Sequence, residues 1–310
     1  MYKSISPAII NPGTRSLADF HRYWAESHGP LFSNTEQVWG YVQHLTLPEA
    51  YDGEPKPTHD GASLFVHKDL DALRSPLTTP EAVALREAVI ADDRQLFDRL
   101  PGWPLSHKRA SVIATERVVV DGEKTPEMVK AIFVASRMPG LAPEEFSQHW
   151  YEVHGPLAAK LPGLRRYVQN HAVPEAYTIR GMTHDGWSEL WFDDLDALRH
   201  AYASPEWQAL REDGQTLFAR PMCVIIARER IQKWDGVSRT DLSWVTSLSE
   251  EQIRERLASQ GFASLAADPE IPHTIKSAAE SGSLAVWSPE HIVTIDDTHI
   301  DARPERVAVA

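Results

Sequence analysis

The chain has 310 residues, of which 42% are hydrophobic and 24% charged, and its formal net charge is −13. This acidic balance argues against nucleic-acid binding and docking on anionic membranes, and no apolar run approaches the ~18 residues that span a bilayer. The length predicts about two domains with a sizeable core. The first residues lack the basic and apolar regions of a signal peptide, which predicts a cytoplasmic protein. A single cysteine excludes an internal disulfide and a cysteine-based metal site.

An internal repeat organises most of the chain. Residues 20–51 align without gaps to residues 146–177, with 14 of 32 positions identical. The match resumes at His59-Asp60-Gly61, which pairs with His184-Asp185-Gly186. Self-similarity of this kind indicates two copies of one module. We therefore predict modules over residues 1–122 and 123–236, followed by a unique C-terminal extension over residues 237–310.

The sequence pattern of each copy predicts the order strand, helix, strand, strand, helix, strand. In the second copy, the expected elements are a strand at 128–136, a helix from Pro143 that Gly155-Pro156 ends, a strand at 165–173, a turn around Gly181, a strand at 187–192, a helix at 194–217 broken at Ser204-Pro205, and a strand at 222–231. This order is the ferredoxin-like split βαβ. Two such modules predict an α+β fold in which the copies form one intramolecular barrel.

The extension differs from the repeats in its pattern. Ser249-Glu250-Glu251 opens a capped helix that runs to about Ser259, and residues 285–295 are apolar enough for a strand or an extended arm. We expect the extension to wrap the barrel, with closure of a pocket mouth as a lid, or oligomerisation, as alternatives.

A motif in the second copy carries a family resemblance. Phe146, Trp150 and His154 stand four residues apart, Gly-Pro-Leu follows, and then come Pro-Gly-Leu at 162–164, Tyr167 and Asp185-Gly186. This pattern resembles the EthD family of dimeric α+β-barrel proteins. The resemblance covers both repeats and is better in the second, because the first has Glu-Gln-Val at 36–38 in place of Pro-Gly-Leu.

The resemblance implies a small, mostly apolar or aromatic ligand held between the sheet and the helices. The wider barrel superfamily includes cofactor-free monooxygenases, lactone isomerases, polyketide cyclases and dehydratases, and haem enzymes. It therefore implies no single reaction. Homodimeric relatives would need two chains to build one barrel, and a homodimer of this chain is an open alternative.

His28 and His154 each end an apolar helical stripe, one turn after a tryptophan. The dipole at a helix C-terminus favours a protonated imidazole, so we expect a raised pKa there. Such a histidine could donate a proton to a carbonyl or to a leaving hydroxyl. The alternative is a capping histidine that hydrogen-bonds a carbonyl and orders the loop.

The second strand of the second copy carries the strongest candidates. Alternation places Tyr167, Gln169 and His171 on one face, whereas the first copy has Leu45 in place of the histidine. Imidazole could take a proton while the phenol polarises an oxyanion. The difference predicts an active second copy and a degenerate first copy, in which Tyr41 is a substrate contact. The alternative is a satisfied polar patch beneath the helices.

Further candidates precede or lie on the third strand. His184 and Asp185 are adjacent, and a carboxylate can orient an imidazole, although Asp-Gly is also ordinary turn chemistry. The predicted substrate contacts are Trp150, Gln169, Trp187, Trp191, Tyr177, His28 and Tyr41. The alternative is a structural role, in which the tryptophans fill a core and Tyr177 packs within a loop.

The leading hypothesis is a cofactor-independent enzyme acting on a small aromatic or polyketide-like substrate by proton transfer, as a dehydratase, cyclase or isomerase. His171 or His154 would be the acid or base, and Tyr167 would bind the oxyanion. The alternatives are a monooxygenase, cofactor-free or with haem, and a non-catalytic binding protein. No phosphate loop, dinucleotide fingerprint or zinc motif is present, and none of the 14 histidines is marked as a haem ligand. We therefore predict no cofactor and no metal.

Overall fold

The computed structural model describes the chain except residues 12, 14, 34, 36–37, 72–78, 98–111, 180–183, 239–241, 281–284, 288–290, 296–299 and 305–310. The predicted turn around Gly181 lies outside the described residues. Contacts divide the chain into two compact units: 1–10, 42–74 and 100–230 form the first, and 11–41, 75–99 and 231–310 the second. The module boundaries at 122 and 236 remain predictions. No helix among the described residues is long and apolar enough to cross a membrane.

Eight strands form an antiparallel sheet that closes into a barrel. They are β1 (Tyr2–Ala8), β2 (Gly40–Thr46), β3 (Gly61–His67), β4 (Val112–Val120), β5 (Val129–Ala135), β6 (Leu164–Ala172), β7 (Gly186–Phe192) and β8 (Cys223–Trp234). Their order is β2-β3-β1-β4-β6-β7-β5-β8, and β8 pairs with β2 to close the barrel. Each copy supplies four strands in the same relative order. The predicted intramolecular α+β barrel is therefore confirmed.

Strand register assigns the two faces of the barrel wall. Trp187 and Glu189 alternate with Ser188 along β7, and Ser188 lies opposite Phe133 of β5. The ring of Phe133 packs against Trp207 of the helix Pro205–Leu217, with centroids 5.9 Å apart. The helices of this unit therefore cover the face of Phe133 and Ser188. Side chains of the opposite face point into the barrel interior.

Side-chain caps start the last two helices of the second copy. Ser204 accepts a hydrogen bond from the N–H of Trp207 and starts the helix Pro205–Leu217, while Asp194 starts the helix Leu195–Tyr202 in the same way. Such caps satisfy N–H groups that have no partner within the helix. The predicted break at Ser204-Pro205 is confirmed.

The first helix of each copy contains a π turn. The segments are Leu17–Tyr23, Trp24–His28 and Gly29–Ser33 in the first copy, and Pro143–His149, Trp150–His154 and Gly155–Ala158 in the second, the middle one being the π turn in each. The predicted stop at Gly155-Pro156 is wrong. Gly155 keeps helical angles and its N–H bonds Trp150 O, five residues back. Proline is tolerated because it opens the following α-helical segment, where its missing N–H needs no partner.

The second unit contains the C-terminal extension with its own core. Its elements there are β9 (Val237–Ser238), helices Ser243–Thr246, Glu250–Ser259, Ala263–Ala267 and Ile271–Glu280, and a three-stranded sheet of β10 (Ala285–Trp287), β11 (His291–Ile295) and β12 (Ile300–Pro304). Ser249 caps the predicted helix with a capping box. The expected strand or arm at 285–295 is two antiparallel strands. The role of the extension remains a prediction.

Candidate active site

Tyr167, Gln169 and His171 lie together on the helix-covered face of β6. Gln169 Nε2 donates to the Tyr167 hydroxyl at 2.9 Å and to Trp150 O at 2.8 Å. Gln169 Oε1 lies 3.0 Å from His171 Nε2. Burial raises the pKa of Tyr167 to about 12. The structure thus brings the predicted trio together as a hydrogen-bonded row beneath the π turn.

His171 has a partner at each ring nitrogen. Its Nδ1 lies 2.9 Å from Ser147 Oγ, and its ring centroid is 4.5 Å from that of Trp150. Burial, helped by the charge of Arg117, lowers the pKa of His171 to about 3. The ring is therefore neutral at physiological pH, and both nitrogens are engaged within the protein. A catalytic role for His171 remains a prediction, as does the oxyanion role of Tyr167.

Replacing His171 with phenylalanine distinguishes the two interpretations of this row. If it is a satisfied polar patch, the variant loses about 1–3 kcal/mol of unfolding free energy, because Gln169 and Ser147 lose buried partners. Turnover by the folded variant should then keep the wild-type pH profile between pH 5 and 8. Urea denaturation and a pH–rate profile measure the two quantities, with Ser147→Ala as the milder control. If one limb of the pH–rate profile is missing in the variant, His171 is instead the group whose titration produces that limb.

His154 forms a dyad with Asp213 that the sequence analysis missed. The π turn presents His154 to the helix Pro205–Leu217, where its Nδ1 lies 2.8 Å from Asp213 Oδ2. His149 Nε2 contacts the other carboxylate oxygen at 2.8 Å. Phe218 packs edge-on against the His154 ring, with centroids 5.0 Å apart. The carboxylate therefore fixes the orientation of a nearly buried imidazole.

The electrostatics favour a neutral imidazole beside an ionised carboxylate. Burial lowers the pKa of His154 more than Asp213 raises it. Burial alone would raise the pKa of Asp213, but hydrogen bonds from His149 and His154 lower it. The expected rise of the His154 pKa at a helix C-terminus is wrong, since the helix continues past this residue and desolvation dominates. His154 Nδ1–H thus donates to Asp213, which leaves the lone pair on Nε2.

Nε2 of His154 is open. None of the residues that the structure describes hydrogen-bonds it, and it is not among the buried polar atoms that lack a partner. The side chain of His154 is 9% exposed, so a small part of the ring meets solvent. A neutral imidazole with one nitrogen held by a carboxylate and the other open is the arrangement of a general base.

The first copy repeats the dyad in a closed form. His28 Nδ1 lies 2.7 Å from Asp92 Oδ2, and the Tyr23 hydroxyl donates to the same carboxylate at 2.7 Å. On the other side of the ring, Asp93 Oδ1 lies 3.6 Å from His28 Nε2. Both nitrogens of His28 therefore face carboxylates. Tyr41 lies under this helix and accepts from Trp24 Nε1 at 3.2 Å.

Asp185 and Tyr177 organise a loop. Asp185 accepts the backbone N–H of Arg137 at 2.9 Å and also contacts the Arg137 guanidinium and the Tyr177 hydroxyl. In the first copy, Asp60 accepts a backbone N–H at 2.8 Å and the Tyr51 hydroxyl at 2.6 Å. The duplicated contacts are those of loop packing.

His184 and the two strand tryptophans lie elsewhere. His184 Nε2 is 3.8 Å from Cys223 Sγ, and burial lowers the pKa of this histidine. Trp187 and Trp191 lie on the interior face of the barrel, as their pairing with β5 and β6 shows. They therefore do not share a face with His171. The predicted substrate contacts are split between the two sides of the sheet.

A ladder of alternating charges, which the sequence pattern did not indicate, crosses the barrel interior. We call it the charge ladder; in order, its members are Lys124, Glu229, Lys130, Glu189, Lys3 and Glu116. Side-chain exposure falls from 46% at both ends to 1–2% at Lys130 and Glu189. Lys130 Nζ lies 2.5 Å from Glu189 Oε2 and also contacts Glu229. A buried ladder of this kind satisfies its own charges.

The centre of the ladder has the composition of a metal site but holds an ammonium group. His44, Glu189 and Glu229 place ligand atoms close enough to share an ion. Lys130 Nζ is bonded to all three and lies 2.9 Å from His44 Nε2. Burial alone would raise the pKa of Glu189, but Lys130 and then Lys3 lower it to about 2. The cation that these carboxylates balance is thus the lysine itself.

The repeated sequence contained evidence for both the charge ladder and the histidine–aspartate dyads. Lys3 lies opposite Ala114 in the strand register just as Lys130 lies opposite Ala227, so a lysine recurs at the same place in the first strand of each copy. Alignment of Leu96-Phe97 with Leu217-Phe218 places Asp92 opposite Asp213 in the repeat. A buried duplicated charge needs a partner, and this requirement identifies the ladder and the dyads.

Comparison with known proteins supports the resemblance. The sequence profile of the EthD domain matches residues 138–221. A comparison with curated proteins found no match. An EthD family protein from Bacillus halodurans C-125 is 25% identical, covers 33% of this chain and 99% of its own, and superposes with a TM-score of 0.29.

Two further solved structures cover both copies. An anthrone oxidase-like protein is 11% identical over 74% of this chain and 92% of its own, with a TM-score of 0.48. A chlorite dismutase variant from Candidatus Nitrospira defluvii is 11% identical over 73% of this chain and 90% of its own, with a TM-score of 0.40.

Proposed function

We propose that this chain, whose residues 138–221 belong to the EthD domain family, is an enzyme that moves protons on small aromatic or polyketide-like carbonyl compounds. It acts as a dehydratase, cyclase or isomerase through its own side chains. One observation carries this proposal: Nδ1 of His154 lies 2.8 Å from Asp213 Oδ2, while no residue that the structure describes hydrogen-bonds its Nε2.

The dyad can complete a proton-transfer cycle. Nε2 of His154 takes a proton from the carbon next to a substrate carbonyl, and the electron pair forms an enolate. Asp213 stabilises the imidazolium that results, because its carboxylate already accepts Nδ1–H. The imidazolium then returns the proton to a leaving β-hydroxyl, which departs as water, or to another carbon. Dehydration and isomerisation thus differ only in where the proton goes.

The surroundings of His154 suit an apolar or aromatic substrate. Phe146, Trp150 and Phe218 form a buried aromatic cluster with ring centroids 5.3–5.7 Å apart. Tyr151 and Val153, in the same π turn, are exposed large hydrophobic residues. Of the aromatic cluster, Phe218 packs directly against the His154 ring.

Replacing His154 with alanine should lower kcat/KM for aromatic β-hydroxyketones by about 10²–10⁴-fold, because the general base is lost. Dehydration is followed by the absorbance of the conjugated enone. His28→Ala is the matched control, since it removes the equivalent histidine of the closed first-copy dyad, and it should leave the rate within about twofold.

Other results of the same dehydration assay would contradict the proposal. Equal loss in both variants, or none in His154→Ala, contradicts the assignment of the base. Oxygen consumption in step with product would favour the monooxygenase alternative. Circular dichroism and thermal melting of each variant establish that the fold is intact.

A further inference from the structure

The two dyads differ at one equivalent position. The N–H of Phe97 bonds Asp93 O, and the N–H of Phe218 bonds Gly214 O. Asp93 and Gly214 thus occupy the same place, one residue after the dyad aspartate and four before the phenylalanine that packs on the histidine. The first copy has a carboxylate there, and the second has no side chain.

Gly214 lies beside the His154 ring. A Cβ built at this position would lie 3.5 Å from His154 Cε1 and 3.3 Å from Phe218 Cδ2. Glycine within a helix lowers helix stability, so its presence in the helix Pro205–Leu217 needs a local reason. The absence of a side chain lets the helix backbone pack closely against the rings of His154 and Phe218.

The first copy shows which chemical group faces the Nε2 edge of its histidine. There, Asp93 Oδ1 lies 3.6 Å from His28 Nε2, and Phe97 packs edge-on against that ring as Phe218 does against His154. The protein therefore supplies its own carboxylate to one histidine and has no side chain at the equivalent position beside the other.

An exposed arginine near the dyad adds a positive charge. Arg220 follows the helix Pro205–Leu217, and its Nη1 donates to Met222 Sδ at 3.2 Å. Within the described part of the chain no carboxylate pairs with it. Its charge acts on His154, as do those of Asp213 and His149. In a chain of net charge −13, an arginine without a carboxylate partner beside an open histidine favours an anionic ligand.

We propose that the Nε2 edge of His154, on the side of Gly214, binds the acidic oxygen of a small substrate, a carboxylate or an enolate, as the Nε2 edge of His28 faces the Asp93 carboxylate in the first copy. This inference rests on the proposed function and deepens it, because it defines the substrate class as acidic aromatic or polyketide-like carbonyl compounds. Gly214 then determines which copy accepts substrate, and Arg220 contributes to its affinity.

The test uses the full-length protein, with benzoate as the probe and benzamide as its neutral isostere. The Cε1–H resonance of each histidine is followed by NMR during titration. Benzoate should shift the His154 resonance and raise its pKa, because an adjacent anion favours the imidazolium. Benzamide should bind at least about tenfold more weakly, and His28 should respond to neither.

Variants at the paired position make the test specific. Gly214→Asp should abolish the benzoate response of His154, whereas Gly214→Ala should retain it, because alanine adds no charge. Asp93→Gly should create a benzoate response at His28. Arg220→Met should weaken benzoate binding by about three- to tenfold. Folding of each variant is verified by the unchanged dispersion of the other resonances.

The outcomes separate this proposal from the proposed function. Equal binding of benzoate and benzamide, or an unchanged response in Gly214→Asp, would overturn the anion site and leave the role of His154 as a base intact. Benzoate binding at Gly214 together with full turnover in His154→Ala would overturn the proposed function and leave the anion site intact.

Discussion

Replacing Lys130 with methionine is expected to lower the free energy of unfolding by about 3–5 kcal/mol, because it removes the cation between the buried carboxylate of Glu189 and the partly buried carboxylate of Glu229. Glu189 and Glu229 would then remain without the ammonium that they bind. A loss of this size is a large fraction of the total stability of a typical domain. Urea denaturation at pH 7 measures it.

Lys124→Met is the matched control, since it removes the same group at the exposed end of the charge ladder. An exposed pair contributes at most about 1 kcal/mol, so this variant should remain close to the wild type. The double variant Lys130→Met/Glu189→Leu should be more stable than Lys130→Met, because fewer uncompensated charges stay buried. A double variant that is less stable than the single one would contradict this account.

The pH dependence of the unfolding free energy identifies why Lys130→Met is less stable than the wild type. In the wild type, the Glu189 pKa is lowered to about 2, so its contribution is complete above the unfolded pKa and is lost only as the pH falls towards 2. Without Lys130, burial raises this pKa above the unfolded value. The difference in unfolding free energy between the wild type and Lys130→Met should therefore become smaller as the pH falls from 7 to 5. A deficit independent of pH would indicate lost packing instead.

Asp213→Asn is expected to reduce kcat/KM by about 10²–10⁴-fold with little change in KM, because the amide cannot hold His154 in the Nδ1–H tautomer. If the ring turns, or if its proton moves to Nε2, the nitrogen that faces the substrate no longer offers a lone pair. Asp92→Asn makes the same change in the closed first copy and should leave turnover unaffected. Equal losses in the two variants would place the catalytic requirement outside the second-copy dyad.

The pH–rate profile adds an independent measurement. Burial holds the His154 pKa below 6.5, so the base is already unprotonated at pH 7. The wild-type kcat/KM should therefore be flat near neutrality and fall as the pH drops through that lowered value. An activity that rises on acidification would contradict the assignment of His154 as the base.

The repeat and the strand pattern predicted the fold well because both depend on local sequence. The strand register at Tyr167 and His171 and the helix break at Ser204-Pro205 follow from alternation and capping, which neighbouring residues determine. The continuation of the helix past Gly155 could not be predicted in this way. It depends on a π turn, in which one hydrogen bond moves to a carbonyl five residues back.

The candidate site was only partly accessible from the sequence. His154 could be selected from its motif, but Asp213 lies 59 residues away, and only the packing of two helices brings them together. Similarly, Trp187 and His171 look like neighbours in the sequence pattern, yet strand pairing places them on opposite faces of the barrel wall. Tertiary contacts and the side of a sheet that helices cover decided these assignments.

Fusion of the two copies into one chain releases them from symmetry. In a homodimer, every substitution occurs twice, so an acid at the barrel centre would meet its own twin across the two-fold axis. Here Glu189 has Leu64 as its counterpart, and Gly214 has Asp93. Each half can therefore carry side chains that the other lacks, as at these two positions, which a symmetric pair of identical chains cannot do.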